Sequence, residues 1–509
     1  MLIATLLALS GFGLPRVPSG ATAARPTEDA RAAAASNVNA HSEMLALFRA
    51  VHSIPPFARK YNVACSYCHT TIPRLNGTGY KFRAAGFRMP DDIGKPDTRK
   101  YEFGDYFSAR IQARFDAQVT NQPNGAASPN IVSGVPGKRT TTVAPSFQEA
   151  TLYPLSGSWA KYFGSLTELS VSPEDFFEVE NAYIRAVFGT ENSFFTSRVG
   201  IFHPWEGIGA SDRPFSNART LFQTAPLSAG GRGVPYVYQP WGLDEVGLEV
   251  GGEFDKLSLR AAILGGTFMR WEEEANSFIA FPSQTGPWKG ANQAVSALGK
   301  PFDYVSHNAP DFSTNVTYTL SESGGGVSLL YYHGNIATPT KCTDGTAIGK
   351  ANSAGEVCGV AAQTAGAPYG AVGNTDFDFT DASAFRNNFD RVGLYASYPI
   401  GAHFVPQAGY QWGKDDNPNG TTFNSSGAFV EGAYMINKYA TVGARYDWFR
   451  PNTSVSHNKQ WAFSPWVNVP LQNGLQLIAE YQRRDFELSP TGAYHRQNDT
   501  FQMRVIFIQ

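Results

Sequence analysis

From about residue 101 onward the chain alternates between apolar and polar positions. Val392, Leu394, Ala396 and Tyr398 interleave with Gly393, Tyr395 and Ser397. Ala440, Val442, Ala444, Tyr446 and Trp448 interleave with Thr441, Gly443, Arg445 and Asp447. The same period of two runs through Val246, Leu248 and Val250, through Leu475, Leu477, Ala479 and Tyr481, and through Phe501, Met503, Val505 and Phe507. One apolar face and one polar or glycine face mark strands that lie between two different environments. The runs reach roughly ten to fourteen residues, long for a soluble sheet and suited to tilted strands crossing a membrane.

The pattern predicts sixteen strands, near 104–120, 146–155, 160–172, 177–189, 193–203, 241–254, 257–270, 311–321, 326–335, 387–399, 402–414, 425–437, 439–450, 459–470, 475–488 and 496–509. Their connectors alternate in length. Short turns include Asp255-Lys256, Gly401-Ala402, Asn437-Lys438 and Gln472-Asn473-Gly474, and long connectors cover 121–145, 204–240, 271–310 and 336–386. Long connectors follow odd-numbered strands and short turns follow even-numbered ones, apart from a brief link near 173–176. The expected fold is therefore all-β, a transmembrane antiparallel barrel of about sixteen strands with both chain ends of the barrel on the short-turn, periplasmic side. Gly324-Gly325-Gly326 reads as a hairpin turn, and Trp205, Trp241, Trp448 and Trp466 are expected in the aromatic girdles. The 204–240 loop either folds inward as a constriction or stays outside. His203, His333 and His495 fall near the expected outer rim, where they would bind an external metal ion or stand unliganded.

Composition agrees. Charged residues make up only 17% of the 509, below the ~25% of soluble domains, and aromatics reach 13%. A net charge of −2 gives no reason to expect a nucleic-acid partner. The chain opens on the apolar MLIATLLALSGFGLP, followed by the small residues Ala21-Thr22-Ala23, which reads as a signal peptide over 1–23. Residues 24–53 form a linker, with helical spacing from His41 to Val51. Residues 54–100 form a separate segment, and the barrel takes 101–509. Export also predicts a disulfide between Cys342 and Cys358.

The segment at 54–100 carries the chemistry. Cys65-Ser66-Tyr67-Cys68-His69 is a C-x-x-C-H pattern, the attachment pattern of c-type haem. Two thiols at this spacing add to the two haem vinyl groups, and the next residue, His69, supplies the proximal iron ligand. One motif implies one covalently attached haem c. A zinc ribbon would need a second ligand pair, and Cys342 and Cys358 are distant and differently spaced. Neither G-x-S-x-G nor H-E-x-x-H occurs, so hydrolase chemistry has no support.

The stretch IPPFARKYNVACSYCHTTIPRLNGTGYKFRAAGFRMP resembles the haem segment of outer-membrane monohaem cytochrome–porin fusions, whose best-known members are proposed iron-oxidising proteins. Pro56-Phe57-Ala58-Arg59 before the motif and Pro73, Leu75-Asn76, Gly79 and Phe82 after it carry the resemblance. It implies haem-attachment roles for Cys65, Cys68 and His69, and electron transfer across the outer membrane. The resemblance does not fix the electron donor; by analogy with the iron-oxidising members, electrons would run from external Fe(II) to a periplasmic c-type cytochrome or other carrier. The opposite direction, toward an extracellular acceptor, and a diffusion porin with a haem tether are the alternatives. The sixth iron position falls to Met89, in a Gly-Phe-Arg-Met-Pro turn, or to His52, or stays open. A methionine ligand raises the reduction potential relative to a second histidine. Arg59, Lys60, Arg74, Lys81, Arg83 and Arg88 surround the motif and would meet haem propionates, lumen acids such as Glu245 and Glu249, or solvent. So short a segment cannot build a core of its own, which predicts that it plugs the barrel.

Overall fold

In the computed structural model the alternating runs become a closed antiparallel barrel. The structure describes residues 55–71, 74–96, 103–121, 139–172, 178–206, 220–224, 245–265, 270–272, 277–279, 310–321, 323–337, short pieces between 341 and 374, 386–416, 422–437, 440–450, 452–454, 459–471, 474–487 and 495–508. The expected signal peptide, the helix at 41–51, His52, Trp241 and Cys342 lie outside them, as do the side chains of Cys65, Cys358 and His495.

The N-terminal part folds as a small helical unit. Helix α1 is Pro55–Tyr61, and a single 3-10 turn spans Cys65–Tyr67. Strands β1, His69–Thr71, and β2, Arg74–Leu75, pair as a tiny hairpin, and α2 is Gly77–Ala84. Among the described residues sixteen long strands follow. They are β3 Ser108–Asn121, β4 Arg139–Tyr153, β5 Phe163–Val171, β6 Glu178–Thr190, β7 Ser193–Phe202, β8 Glu245–Phe254, β9 Leu257–Leu264 and β10 Asp311–Ser321. The rest are β11 Gly325–Ala337, β12 Arg386–Ser397, β13 Phe404–Asp416, β14 Thr422–Asn437, β15 Ala440–Arg450, β16 Gln460–Pro470, β17 Leu475–Glu487 and β18 His495–Ile508. Each pairs with its sequence neighbours, and β18 closes the ring on β3, from Gln497↔Asn121 to Ile508↔Arg110.

Every predicted strand has its counterpart. The largest boundary error is in β4, which begins at Arg139 rather than near 146. The added residues, Arg139 to Pro145, carry three consecutive threonines and no apolar alternation. A ladder can continue past the lipid, where one face no longer has to be apolar.

The wall is turned inside out relative to a soluble protein. On β9, Ser258 and Arg260 are buried while Leu259 and Ile263 are exposed. On β14, Glu431 is buried and the neighbouring Val430 is 62% exposed. Phe195, Val199, Leu248, Leu329, Leu394, Tyr446 and Phe463 continue the exposed apolar surface on other strands. An apolar exterior, a polar interior and a sheet without edges satisfy the requirements of a membrane-spanning barrel. The protein is accordingly a bacterial outer-membrane barrel.

Trp448 belongs to this exterior, paired across the strands with Trp461. Trp205 and Trp466 do not, against expectation. Trp205 is buried against Tyr395 at a centroid distance of 4.2 Å, and Trp466 packs on Ala402, Val405, Ala433 and Met435. On β16, Trp466 shares its inward face with Ser464 and Asn468, so it fills lumen.

Candidate functional site

The C-x-x-C-H loop owes its shape to Asn76. Its backbone nitrogen donates to the Cys68 carbonyl at 2.9 Å, and its Nδ2 donates to the carbonyls of Tyr67 at 3.0 Å and Ser66 at 3.4 Å. The same side chain caps α2, its Oδ1 accepting from Gly79 N at 2.9 Å. Gly79 sits so close that a Cβ there would stand 2.1 Å from the Cys68 carbonyl oxygen. Only glycine allows that approach. A 3-10 turn eclipses positions three apart, which brings positions 65 and 68 to one side of the turn, as two vinyl additions on one haem require. Cys68 and His69 are half-buried. This geometry is compatible with a c-type haem, for which Cys65 and Cys68 would supply the thiols and His69 the iron ligand.

Behind the motif lies an aromatic nest. Phe57 stacks on Phe87 at 5.0 Å and meets Phe82 edge-on at 5.4 Å, and Tyr61 meets Phe82 edge-on at 5.5 Å. These pairs hold α1 to α2 and to the turn that follows. That turn uses Gly86 at φ +67 and Phe87 at φ +62 to reverse the chain. Met89 comes next, 8% exposed and in the same apolar cluster as Phe82 and Phe87. Beyond it, Asp91 lies near enough to the motif to act on Tyr67: burial raises the phenol's pKa first, with Asp91 and Cys68 adding to the effect. The Met89-Pro90-Asp91 segment therefore returns toward the C-x-x-C-H motif.

The whole unit docks on inward-facing wall residues at the short-turn end. Tyr80 Oη donates to Ser258 Oγ at 2.9 Å, and Ser258 in turn donates to Glu253 at 2.7 Å. Burial pushes the Tyr80 phenol up to about 12. A Cβ on wall residue Gly164 would lie 2.0 Å from the Gly86 carbonyl oxygen, and Val187 backs Gly86. Gly324, at φ +103 in the β10–β11 turn, approaches Asn76 and Thr70.

The basic residues answer to the barrel. Lys60 donates to Tyr106 Oη at 3.0 Å and to Ser158. Arg74 donates to Gln407, and Arg88 to the carbonyls of Ala160, Lys161 and Phe163. These three thus seat the segment on the wall, so solvent, one of the three expected alternatives, does not hold for them. The side chain of Arg59 lies outside the described residues, and Lys81 is half-buried.

Arg83 meets a lumen acid that sequence reasoning missed. Glu206 lies just past β7, in a connector that turns into the barrel, and it takes Arg83 Nε at 3.1 Å. It also takes Arg185 at 3.1 Å, Arg198 at 2.6 Å and Arg260 at 2.7 Å from the wall. Burial opposes its charge, but the guanidiniums of Arg198, Arg83, Arg185 and Arg260 outweigh that and hold the carboxyl well below the usual range. Glu249, one of the expected acids, pairs with Arg198 at 2.8 Å. Glu245, the other, accepts from Tyr332 Oη at 2.9 Å.

The same connector contributes Leu221–Thr224, a single helical turn. Leu221 N donates to Asp447 Oδ1 at 3.2 Å, and Phe222 packs on Tyr395 and Phe429. The inward alternative for this loop therefore holds for its described residues. His203 is buried there, its Nδ1 beside the Trp205 backbone, and His333 lies 2.9 Å from Asp390 on the outer face. Among the described residues no three metal-ligating side chains converge, at the rim or elsewhere.

No protein-family model matches the chain, and no curated protein matches it either. Solved structures of similar outline include in-vitro folded OmpT of Vibrio cholerae at 10% identity and TM-score 0.44, over 80% of this chain and 100% of that one. The outer-membrane channel DcaP of Acinetobacter baumannii shows 10% identity and TM-score 0.44, over 79% of this chain and 97% of that one. An anion-selective porin from Comamonas acidovorans gives 10% identity and TM-score 0.44, over 79% and 99%.

Proposed function

We propose that this chain is an outer-membrane cytochrome barrel of the monohaem cytochrome–porin kind, passing electrons between the cell exterior and the periplasm. The observation that carries this reading is the seating of the C-x-x-C-H unit. It is bound to the inner wall at the short-turn mouth through Tyr80, Arg74 and Arg88, and tied to an inward loop through Arg83. A haem attached at Cys65 and Cys68 supplies a one-electron iron couple. Asn76 and Gly79 shape the attachment loop, His69 offers the proximal nitrogen, and Met89 is the sixth-ligand candidate on the returning turn. Tyr67, 45% exposed, lies on the open side of the motif, where a periplasmic carrier would dock. Fe(II) at the long-loop end is the proposed electron source.

Proteoliposomes containing the haem-loaded protein and an enclosed electron acceptor test this. External Fe(II) should reduce the acceptor, and Cys65→Ala/Cys68→Ala should abolish the transfer. The rival reading, a diffusion porin, draws on barrel size, since sixteen strands enclose a solute-conducting lumen in porins. High solute conductance without haem-dependent transfer would establish that rival. A haem potential near or below zero would instead reverse the direction to outward delivery.

A further inference from the structure

Asn76 does two jobs at once. As an N-cap it satisfies an amide of α2, a task that an aspartate or serine performs about equally well. As a clamp it donates Nδ2 to two carbonyls inside the C-x-x-C stretch, a task that only an amide nitrogen performs. Asn76 is fully buried, as is Ser66 nearly so, and water does not replace these bonds without cost. The clamp is also braced from the barrel: Gly324, in the β10–β11 turn, brings its backbone against the Asn76 Cα and the Leu75 carbonyl. The shape of the attachment loop is thereby coupled to a closed barrel.

Resting on the haem reading above, we infer that Asn76 is the positioning residue for haem attachment, holding Cys65 and Cys68 in register for the two thioether bonds and His69 toward the iron. The bond chemistry is unchanged by Asn76: each cysteine S–H adds across one vinyl group, sulfur to one carbon and hydrogen to the other, with no oxidant consumed. What Asn76 supplies is loop geometry before the reaction and a fixed His69 after it.

The test uses the full chain, expressed in a host that matures c-type cytochromes. Covalent haem per folded barrel is read from haem absorbance, normalised to the heat-shifted gel band of the folded form. Asn76→Asp keeps the cap and loses the clamp, whereas Asn76→Ala loses both. Both variants should load roughly fivefold less haem than the parent, from one to two lost hydrogen bonds. The haem they do carry should show a shifted potential. An Asn76→Asp protein loaded like the parent, at the parent's potential, overturns the inference, because capping alone then explains the residue. Should Asn76→Ala fail to fold, the Asn76→Asp comparison decides by itself. A parent chain that carries no covalent haem overturns the haem reading and this inference together, whereas loaded parent with loaded Asn76→Asp overturns only the latter.

Discussion

Arg83 Nε lies 3.1 Å from Glu206 Oε1, a contact that joins the N-terminal unit to the loop that enters the barrel beyond β7. The two pieces approach the lumen from opposite ends of the strands. The α2 helix is held near the short-turn end by Ser258, and Glu206 follows β7 on the long-connector side. Around their meeting point Phe82, Phe87, Trp205, Leu221, Phe222, Tyr395 and Phe429 belong to one buried apolar cluster. Apolar side chains from both pieces are thus buried inside a polar-walled barrel, beside a charge pair that joins them. Acting together they would form a partition latched by that pair.

Breaking the latch should open the lumen. Arg83 is 20% exposed and Glu206 keeps three other guanidiniums, so Arg83→Ala should cost about 1 kcal/mol or less. Its expected signature is raised conductance in planar bilayers with the barrel still folded. Glu206→Gln removes the shared counter-charge of four arginines and should cost about 3–5 kcal/mol. Thermal unfolding followed by gel mobility checks that ranking. An Arg83→Ala protein as closed as its parent would show that the apolar partition alone seals the barrel.

The latch should also resist acid. Glu206 has a carboxyl held well below its usual 4.5, so its contribution is fully present above pH 4.5 and is lost only as pH falls through the lower, folded value. Bilayer conductance of the parent should therefore stay low down to about pH 4, where ordinary carboxylates are already about half protonated. Glu206→Gln, with nothing to titrate there, should show raised conductance at every pH. Opening of the parent between pH 5 and pH 4.5 would contradict the depressed value.

The strands were legible because two solvents write them. Val430 must face lipid and Glu431 the lumen, and that demand repeats along β14 whatever lies inside the barrel. Turn lengths then ordered the strands around the ring. The partition was less legible. Nothing in the run Pro204-Trp205-Glu206 separates an inward loop from an outer one, and Trp205 next to a strand end mimics a girdle residue. A usable signal did exist in the wall: Arg185, Arg198 and Arg260 all fall on inward positions of their strands. Three buried guanidiniums on neighbouring inner faces call for carboxylates beyond Glu249 and Glu253, and the adjacent loop supplied Glu206. Motif residues fared differently. C-x-x-C-H stands out in the sequence as a spacing, but the reasons for Asn76 and Gly79 appear only once Cys68 O and Gly79 are side by side.

The sixth-ligand question separates cleanly by substitution. Met89 is buried beside Phe82 and Phe87 on the segment that returns to the motif. If it ligates iron in the loaded protein, Met89→Ala should remove the weak red absorption band of methionine-ligated ferric haem and lower the potential. His52→Ala should leave both unchanged. A spectrum altered by His52→Ala and untouched by Met89→Ala would assign the ligand to the histidine and remove the argument for a high potential.

Val430 tests the membrane placement itself. It is the ninth of sixteen residues in β14, so it sits near mid-height, and it faces outward with 62% exposure. An arginine at the lipid midplane costs about 2–4 kcal/mol, falling toward 0–1 kcal/mol near the interfaces. Val430→Arg should therefore destabilise the folded barrel by about that larger amount in lipid vesicles. Asn437→Arg, at the strand end and also exposed, should be nearly neutral. The contrast matters more than either value, because a β-sheet in water would accept an exposed arginine at both positions equally. Chemical denaturation in vesicles, followed by tryptophan fluorescence, measures both variants on one scale. Equal stability for Val430→Arg and the parent would mean that the apolar exterior does not face lipid, and the outer-membrane placement would fall with it.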